Sequence, residues 1–168
     1  QKNLIGTKII VCDNSKKTSA RTEIEAVCQQ NKIPYLALPN NTTRHVNRSH
    51  GLAMSWAYSN IVKALNPKLF AFIDHDLIPV SPVNFEERLN SQDFFGHLNI
   101  GKYGYWSLWA GYCVFEYAKI KDKKLNFLYD FSRGVDTGGR NWETLYKHYD
   151  QQHLRFANNV KQEFQIPH

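Results

Sequence analysis

Long apolar runs and closely spaced cysteines are both missing from this chain of 168 residues. Its longest apolar stretches are only a few residues, whereas a helix that spans a bilayer needs about 20. The opening residues, from Gln1 to Leu4, also lack the apolar run of a signal peptide. We therefore expect neither an integral membrane protein nor a secreted one, but a cytoplasmic protein or one that is peripheral at a membrane.

The three cysteines, Cys12, Cys28 and Cys113, are far apart and form no C-x-x-C pair. Zinc clusters and disulfide frameworks need paired cysteines, so we expect three ordinary reduced thiols. No repeat, low-complexity tract or Gly/Ser linker divides the chain, and its length suits one unit. The sequence therefore predicts a single domain over residues 1–168.

What the chain does have is an excess of basic residues and many aromatic ones. There are 21 Lys and Arg against 15 Asp and Glu, which gives a formal net charge of +6, and 14% of the residues are aromatic. With an apolar share of 42%, this composition is too rich for a disordered chain. The basic excess permits nucleic acid, a phosphate-bearing metabolite or anionic lipid as partner, and selects none of them.

Strand and helix patterns alternate along the first 80 residues. Strands are predicted over 8–12, 33–38 and 69–73, and helices over 19–30 and 49–65. The run over 69–73 is apolar on both faces, which is typical of a central strand in a helix-covered parallel sheet. The sequence therefore predicts the α/β class.

The second half continues with two strands and a glycine-rich loop. Strand patterns cover 93–96 and 109–115. The loop over 136–139 precedes a predicted helix over 141–149.

Two carboxylates stand at the end of the central apolar strand, Asp74 and Asp76, separated by His75. In an open parallel sheet, ligands bind at the carboxyl ends of the strands. Side chains two apart in an extended segment point the same way, so the two carboxylates are expected to converge. At about 5 Å they repel by roughly 3 kcal/mol, and a divalent cation such as Mg²⁺ or Mn²⁺ removes that repulsion.

Three motifs occur in order along residues 8–80, with two looser ones after them. They are Asp13-Asn14-Ser15, then Asn47-Arg48-Ser49-His50-Gly51-Leu52-Ala53, then Phe72-Ile73-Asp74-His75-Asp76-Leu77-Ile78-Pro79. The looser ones are Trp109-Ala110-Gly111 and Asp136-Thr137-Gly138-Gly139. This ordered set resembles the GT-A-fold glycosyltransferases, and the family 2 type most closely.

The resemblance implies a fold and a division of labour. It implies a Rossmann-like GT-A sheet with helices on both faces, a nucleotide-binding half over 1–80 and an acceptor and sugar half over 81–168. Such enzymes begin with a further βα unit, and only seven residues precede Lys8. We therefore expect that first βα unit to be missing from this sequence.

The resemblance also assigns roles to individual residues. The nucleotide-binding residues that it implies are Asp13, Asn14, Ser15, Asn47, Gly51 and Asp74. It implies that Asp74 and Asp76 hold Mn²⁺ or Mg²⁺, with His148, His153 and His168 as candidates for a third ligand. It places Trp109, Gly111 and Gly138 at the donor sugar or acceptor, and makes Asp136 the general base.

The function so implied is metal-dependent transfer of a sugar from a nucleotide-diphosphate sugar to an acceptor hydroxyl, with inversion. The acceptor would be a glycan, a lipid-linked molecule or a polysaccharide; no nucleic acid is expected, and the oligomeric state is open. One alternative is a haloacid-dehalogenase-like phosphatase that uses Asp74 as nucleophile and Asp76 as acid. The other is a basic nucleic-acid-binding module without enzymatic activity, with the lysine-rich stretch over 119–124 as its contact.

Overall fold

The computed structural model describes residues 2–157 and the short strand at 164–165, and it has a mixed α/β architecture. The strands are β1 Val11–Asp13, β2 Tyr35–Ala37, β3 Leu69–Ile73, β4 Ile78–Pro79, β5 Phe94–Ile100, β6 Trp106–Glu116 and β7 Phe164–Gln165. The helices are α1 Thr18–Gln30, α2 Val46–Ala57, α3 Lys63–Leu65, α4 Phe85–Leu89 and α5 Tyr117–Ile120. The α/β class is therefore confirmed.

The strands form three small sheets in the described part of the chain. β1 and β2 pair in parallel, as expected for a β-α-β unit whose helix is α1. The largest sheet has the order β3-β6-β5 and is antiparallel throughout, and β4 pairs with β7. The prediction that β3 pairs with a parallel neighbour is therefore wrong, because its partner β6 runs antiparallel to it. Apolar side chains on both faces of a strand indicate that both faces are covered, but they do not indicate the direction of the adjacent strand.

The helix predicted over 49–65 exists, but it starts earlier and changes its winding. It begins at Val46, after His45, whose Nδ1 accepts a hydrogen bond from the backbone N–H of Arg48. A π-helical turn over Tyr58–Val62 joins α2 to α3. The helix ends at Asn66, which has a φ of +43° and precedes Pro67. Its first turns therefore include residues that the sequence pattern placed in a loop.

Two hydrophobic cores cover the two faces of the three-stranded sheet. In β6, Phe115 faces one core and its neighbour Val114 faces the other, as side chains alternate along a strand. Met54 and Tyr58 of the long helix pack on the Phe115 side. The α4 helix packs on the Val114 side through Phe85 and Leu89. Each fully buried side chain of this size contributes roughly 2 kcal/mol through the hydrophobic effect, so this sheet is the stable frame of the molecule.

The remaining sequence predictions have mixed outcomes. The strand over 109–115 is confirmed within β6, the strand over 93–96 is confirmed except for Asp93, which precedes β5, and the cysteines are free thiols. The helix over 141–149 is wrong, because only short 3₁₀ turns occur at Gly139–Asn141 and Tyr146–His148. There, Tyr146 packs against Trp106 while the Tyr149 hydroxyl donates to Asp93 Oδ2 over 2.5 Å. These contacts hold the chain in a path that one regular helix could not follow.

No helix among the described residues is both long enough and apolar enough to cross a membrane.

Candidate functional site

The first two turns of α2 lie at the centre of the motifs that the sequence singled out. Asn47, His50 and Gly51 are three and four residues apart and so share one face of the helix. Asn47 contacts the loop that carries Asp136, and His50 contacts Asp74. The neighbouring Ser49 contacts Asn14. One short stretch of helix therefore touches three separate predicted site segments.

The Asp13-Asn14-Ser15 turn follows β1. Asp13 is only 5% exposed, and its Oδ1 accepts a hydrogen bond from the Ser15 N–H at 2.7 Å. Its Oδ2 accepts from the Tyr35 hydroxyl at 2.8 Å. Asn14 is the residue that faces α2, because its Nδ2 donates to Ser49 Oγ at 2.9 Å. The Asp13 carboxylate thus holds the turn together, and Asn14 joins the turn to the helix.

The titration of Asp13 and Tyr35 follows from their surroundings. Burial by itself would raise the pKa of Asp13, but the hydrogen bonds from Ser15 and Tyr35 and the charge of Arg21 outweigh it. The pKa of Asp13 therefore lies below its ordinary value. Burial, together with the bond to the Asp13 carboxylate, raises the pKa of Tyr35 to about 12. Both effects favour a charged Asp13 that accepts from a neutral Tyr35 at neutral pH.

The Asp74-His75-Asp76 segment is a tight turn and not an extended one. The backbone N–H of Leu77 donates to the carbonyl of Asp74 at 3.1 Å, so the argument that alternate side chains converge does not apply. His50 Nε2 lies 3.2 Å from Asp74 Oδ1, and both side chains are partly exposed. Asp76 is exposed. The two carboxylates are therefore accessible from solvent and differ in their surroundings.

These carboxylates offer a divalent cation the oxygen ligands that Mg²⁺ and Mn²⁺ prefer. Within residues 2–157 and 164–165, no three His, Cys, Asp or Glu side chains come together as a metal-binding group. Of the candidate third ligands, His153 pairs with Asp150 at 3.2 Å, and His168 lies outside the described residues. A cation here would thus have at most two carboxylates of this site, with the other positions left to phosphate oxygens and water, as is common for Mg²⁺.

A wide bulge in β6 brings Trp109 and Gly111 next to this turn. Four residues, 109–112, stand opposite the single residue His97 of β5 where the register shifts. The indole ring of Trp109 lies across Gly111, where any Cβ would overlap it. The His97 ring stands edge-on to that indole, with the ring centres 5.9 Å apart. The carbonyl of Gly111 accepts from the Asp74 N–H at 3.0 Å, so the bulge and the carboxylate turn are directly joined.

The Asp136 carboxylate is held at one oxygen. Its Oδ1 accepts hydrogen bonds from Asn47 Nδ2 and from the Thr137 N–H, the latter at 2.7 Å. No described residue donates to Oδ2. Gly138 has a φ of +92°, which favours glycine, and its N–H donates to the carbonyl of Phe127 at 2.7 Å. The loop therefore fixes the Asp136 side chain and leaves one oxygen able to accept a proton.

Gly51 allows α2 to approach that loop closely. A Cβ at this position would lie 2.6 Å from the carbonyl oxygen of Phe127 and 2.9 Å from the Cα of Leu128. Four residues later, Ser55 Oγ accepts a hydrogen bond from the Phe127 N–H at 3.1 Å. The sequence assigned Gly51 to close approach of a nucleotide, whereas the structure gives it the backbone of this chain as partner. Its role is to bring Asp136 within reach of Asn47.

No role was predicted from the sequence for several residues that the structure places at the site. Ser49 and His50 stood in a quoted motif without any role, although His50 is three residues after Asn47 and so shares its face. Asn41, whose Nδ2 donates to Asn14 Oδ1 at 2.9 Å, gave no signal beyond its place in a polar loop. His97 could have been suspected because Gly96 interrupts a strand pattern, as glycine does at bulges.

Comparisons with known proteins add little to this geometry. No protein-family model matches the chain, and no curated protein matches it. The crystal structure of A197 from STIV is a weak structural neighbour, with a TM-score of 0.43 and 14% sequence identity. The match covers 75% of this chain and 72% of that one. At this level the likeness supports no conclusion about fold or activity.

Replacing Gly51 with Ala should destabilise the protein, although alanine is the better helix former by about 1 kcal/mol. The added Cβ meets backbone atoms at 127–128, which cannot rotate away, so we expect a net loss of about 1–3 kcal/mol in the free energy of unfolding. Urea denaturation followed by circular dichroism measures this loss. The matched control is Ser59→Ala, an exposed position in the π-helical turn of the same long helix, which should change stability by less than about 0.5 kcal/mol. A Gly51→Ala protein that is as stable as the parent would contradict the close approach.

Replacing Asp13 with Asn should make stability less dependent on acid pH. Since the pKa of Asp13 is lowered on folding, its charge stabilises the native state above the unfolded pKa of about 3.9, and this contribution is lost as the pH falls toward the folded pKa. We expect the variant to be about 1–2 kcal/mol less stable at pH 7, with the difference shrinking below about pH 4. Urea titrations at several pH values measure it. Asp122→Asn, at an exposed position, is the control, and a difference for Asp13→Asn that stays constant with pH would refute the assignment.

Proposed function

We propose that this chain is a metal-dependent glycosyltransferase of the GT-A type, which moves a sugar from a nucleotide-diphosphate sugar to an acceptor hydroxyl with inversion. The observation that carries the proposal is the contact of one helix start with three segments. The first turns of α2 bind the turn after β1 through Asn14, the turn after β3 through Asp74 and the glycine-rich loop through Asp136. The three segments are the ones that the resemblance assigns to nucleotide, metal and acceptor.

The finer description of the fold belongs to the same proposal. We take the β1–β2 pair and the β3-β6-β5 sheet as two parts of one GT-A sheet. The contacts of α2, which lies between β2 and β3 in the chain, support this proposal. Ser49 holds the carboxyl end of β1 through Asn14, and the adjacent His50 holds the carboxyl end of β3 through Asp74. The ends of the two strands therefore open toward the same helix terminus, where an anionic diphosphate is favoured by the backbone N–H groups.

On the donor side, the proposal gives each residue a binding task. Asn14 and Ser15 would border the nucleoside, and Asn47 would lie beside the diphosphate. Asp74 and Asp76 would hold Mn²⁺ or Mg²⁺, which when bound supplies positive charge against the diphosphate. Trp109, which rests on Gly111 beside the Asp74 turn, would form a wall for the sugar. Asp13 would act through the turn that it holds, since both of its oxygens already accept hydrogen bonds.

On the acceptor side, Asp136 would be the general base. Its Oδ1 is fixed by Asn47 and Thr137, so Oδ2 is the atom that takes the proton from the acceptor hydroxyl. The acceptor oxygen then forms a bond to the anomeric carbon. The bond from that carbon to the diphosphate breaks, and its electron pair leaves with the diphosphate. Attack from the face opposite the leaving group inverts the anomeric configuration.

Donor binding is tested with nucleoside diphosphates, Mn²⁺ and the variant Asp76→Asn. The parent protein should be stabilised by a nucleoside diphosphate only when Mn²⁺ is present, by about 2.7 kcal/mol at 100 times the Kd. For a chain of this size, where 1 kcal/mol corresponds to about 2–4 °C, that is a rise in Tm of about 5–10 °C. Asp76→Asn should weaken the Mn²⁺-dependent binding at least about tenfold, because it removes an anionic ligand of the cation.

The control for this experiment is Asp122→Asn, which changes an exposed carboxylate on the turn after α5. Its nucleotide binding should equal that of the parent. Full nucleotide binding by Asp76→Asn would rule out the metal role of that residue. Hydrolysis of a phosphate monoester that depends on Asp74 would favour the phosphatase alternative, and salt-sensitive binding of oligonucleotides would favour the nucleic-acid module.

Replacing Asp136 with Asn should separate chemistry from binding. Asparagine can keep an oxygen at the position of Oδ1 but cannot take up a proton, so release of nucleoside diphosphate from a bound nucleotide sugar should fall about 10²–10⁴-fold. The Kd of the nucleoside diphosphate with Mn²⁺ should stay unchanged. Turnover is followed by chromatography of the released nucleotide. Undiminished turnover in Asp136→Asn would exclude it as the base, whatever the outcome at Asp76.

A further inference from the structure

Four large hydrophobic side chains stand exposed on three segments that lie beside the candidate site. They are Val46 (75% exposed), Ile100 (64%), Tyr103 (92%) and Phe131 (49%). Val46 is the first residue of α2, and Phe131 is on the turn before the glycine-rich loop. Ile100 is the last residue of β5, and Tyr103 lies in the turn between β5 and β6. We call these four side chains the apolar rim.

The three segments that carry the rim are bound to one another. At the hairpin turn, the Lys102 N–H donates to the carbonyl of Arg133 at 2.8 Å. At the helix start, the His45 ring stacks on Tyr129 with ring centres 4.8 Å apart, and Tyr129 stacks on Phe131 at 4.1 Å. The rim is therefore one fixed surface and not a set of independent loops.

Ion pairs stabilise the turn over 130–134, which carries Phe131, and the charges that stay unpaired around the apolar rim are positive. Arg133 pairs with both Asp130 and Glu143, and Lys147 also pairs with Glu143. These pairs neutralise Asp130, the one carboxylate of the turn over 130–134, and Glu143 near it. Three exposed cations on the same segments, Arg44, Arg48 and Lys102, have no ion-pair partner in the part of the chain that the structure describes.

We infer that the apolar rim docks on an anionic lipid bilayer. Exposed hydrophobic side chains at the tips of neighbouring segments suit insertion at a lipid interface, and unpaired cations around them suit anionic headgroups. Other exposed hydrophobic residues, such as Val27 on α1 and Leu65 at the end of α3, lie on segments that are not tied together in this way. The formal net charge of +6 adds attraction at long range.

Docking by the rim would hold the candidate site at the bilayer. Val46 is adjacent to Asn47, and Phe131 lies five residues before Asp136, so the rim borders the acceptor side of the site. The substrate class that follows is an acceptor carried on a lipid. This last step rests on the proposed function, whereas the docking itself does not.

The test is co-sedimentation with vesicles of phosphatidylcholine, with and without phosphatidylserine, in the absence of any nucleotide sugar. The parent should bind the mixed vesicles and bind the neutral ones far less. The double variant Tyr103→Ser/Phe131→Ser should lose at least about tenfold in its partition coefficient, because two inserted side chains are removed. Val27→Ser/Leu65→Ser is the matched control and should bind like the parent.

A second pair of variants tests the charge. Arg44→Gln/Lys102→Gln should weaken binding to the mixed vesicles by about fivefold per charge, and raised salt should weaken the parent in the same way. Lys119→Gln/Lys121→Gln removes two exposed cations elsewhere and should have little effect. Equal losses in both charge variants would show adsorption through net charge alone and overturn the inference.

The remaining outcomes also decide the matter. Full vesicle binding by Tyr103→Ser/Phe131→Ser, or binding of oligonucleotides but not vesicles, would overturn the inference. Circular dichroism shows that each variant is folded, and each is also checked for its nucleoside diphosphate and Mn²⁺ response. A rim variant that loses vesicles but keeps the nucleotide supports docking. A parent that binds vesicles but no nucleotide refutes the proposed function and leaves the docking intact.

Discussion

The candidate site depends on the close approach of α2 to the backbone of residues 127–128. Gly51 makes that approach possible, and the Phe127 N–H and carbonyl bind Ser55 and Gly138 on either side of it. The segment over 127–139 is thereby fixed to the helix at Phe127 and closed on itself by the bond from Gly138. Asn47, one turn before Gly51, can then reach Asp136. A helix packed farther out would leave this carboxylate on an unsupported loop.

Four aspartates of the predicted site are held in four different ways. Both oxygens of Asp13 accept hydrogen bonds in the interior, and one oxygen of Asp136 does so at the surface of α2. Asp74 lies against an imidazole, and Asp76 is exposed. Because solvation and hydrogen bonding decide what a carboxylate can do, these differences separate a structural role from roles that need a free oxygen.

The sequence predicted the elements well where a local pattern determines them, and less well where packing does. The apolar run over 69–73 predicted both ends of β3 correctly, because the apolar side chains of a buried strand are themselves enough to mark where it begins and ends. The direction of its neighbour depends on the distant β6, and no local pattern encodes it. The failed helix over 141–149 has the same cause, because Tyr146 and Tyr149 are held by contacts with β6 and with Asp93.

For the site, the motif positions were enough to name Asn14, Asn47, Asp74 and Asp136, and the structure places all four at α2. The partners that hold them were not foreseen. Ser49 and His50 become relevant only when the helix is known to start at Val46, three residues earlier than its apolar spacing suggested. The contact of His97 with Trp109 requires the bulge in β6, a shift of register that depends on the pairing of two strands.

The three-stranded sheet has a further consequence for how this protein behaves before it is fully folded. β3 lies at the end of the order β3-β6-β5, and no strand in the described part of the chain pairs with its other edge. Such an edge offers a row of backbone donors and acceptors beside the apolar side chains of Phe70 and Phe72, and it can template the addition of a strand from another molecule. β3 contains no charged residue and no proline that would discourage this. Concentrated preparations of the protein can therefore self-associate through this strand, which leads directly into the turn that carries Asp74 and Asp76.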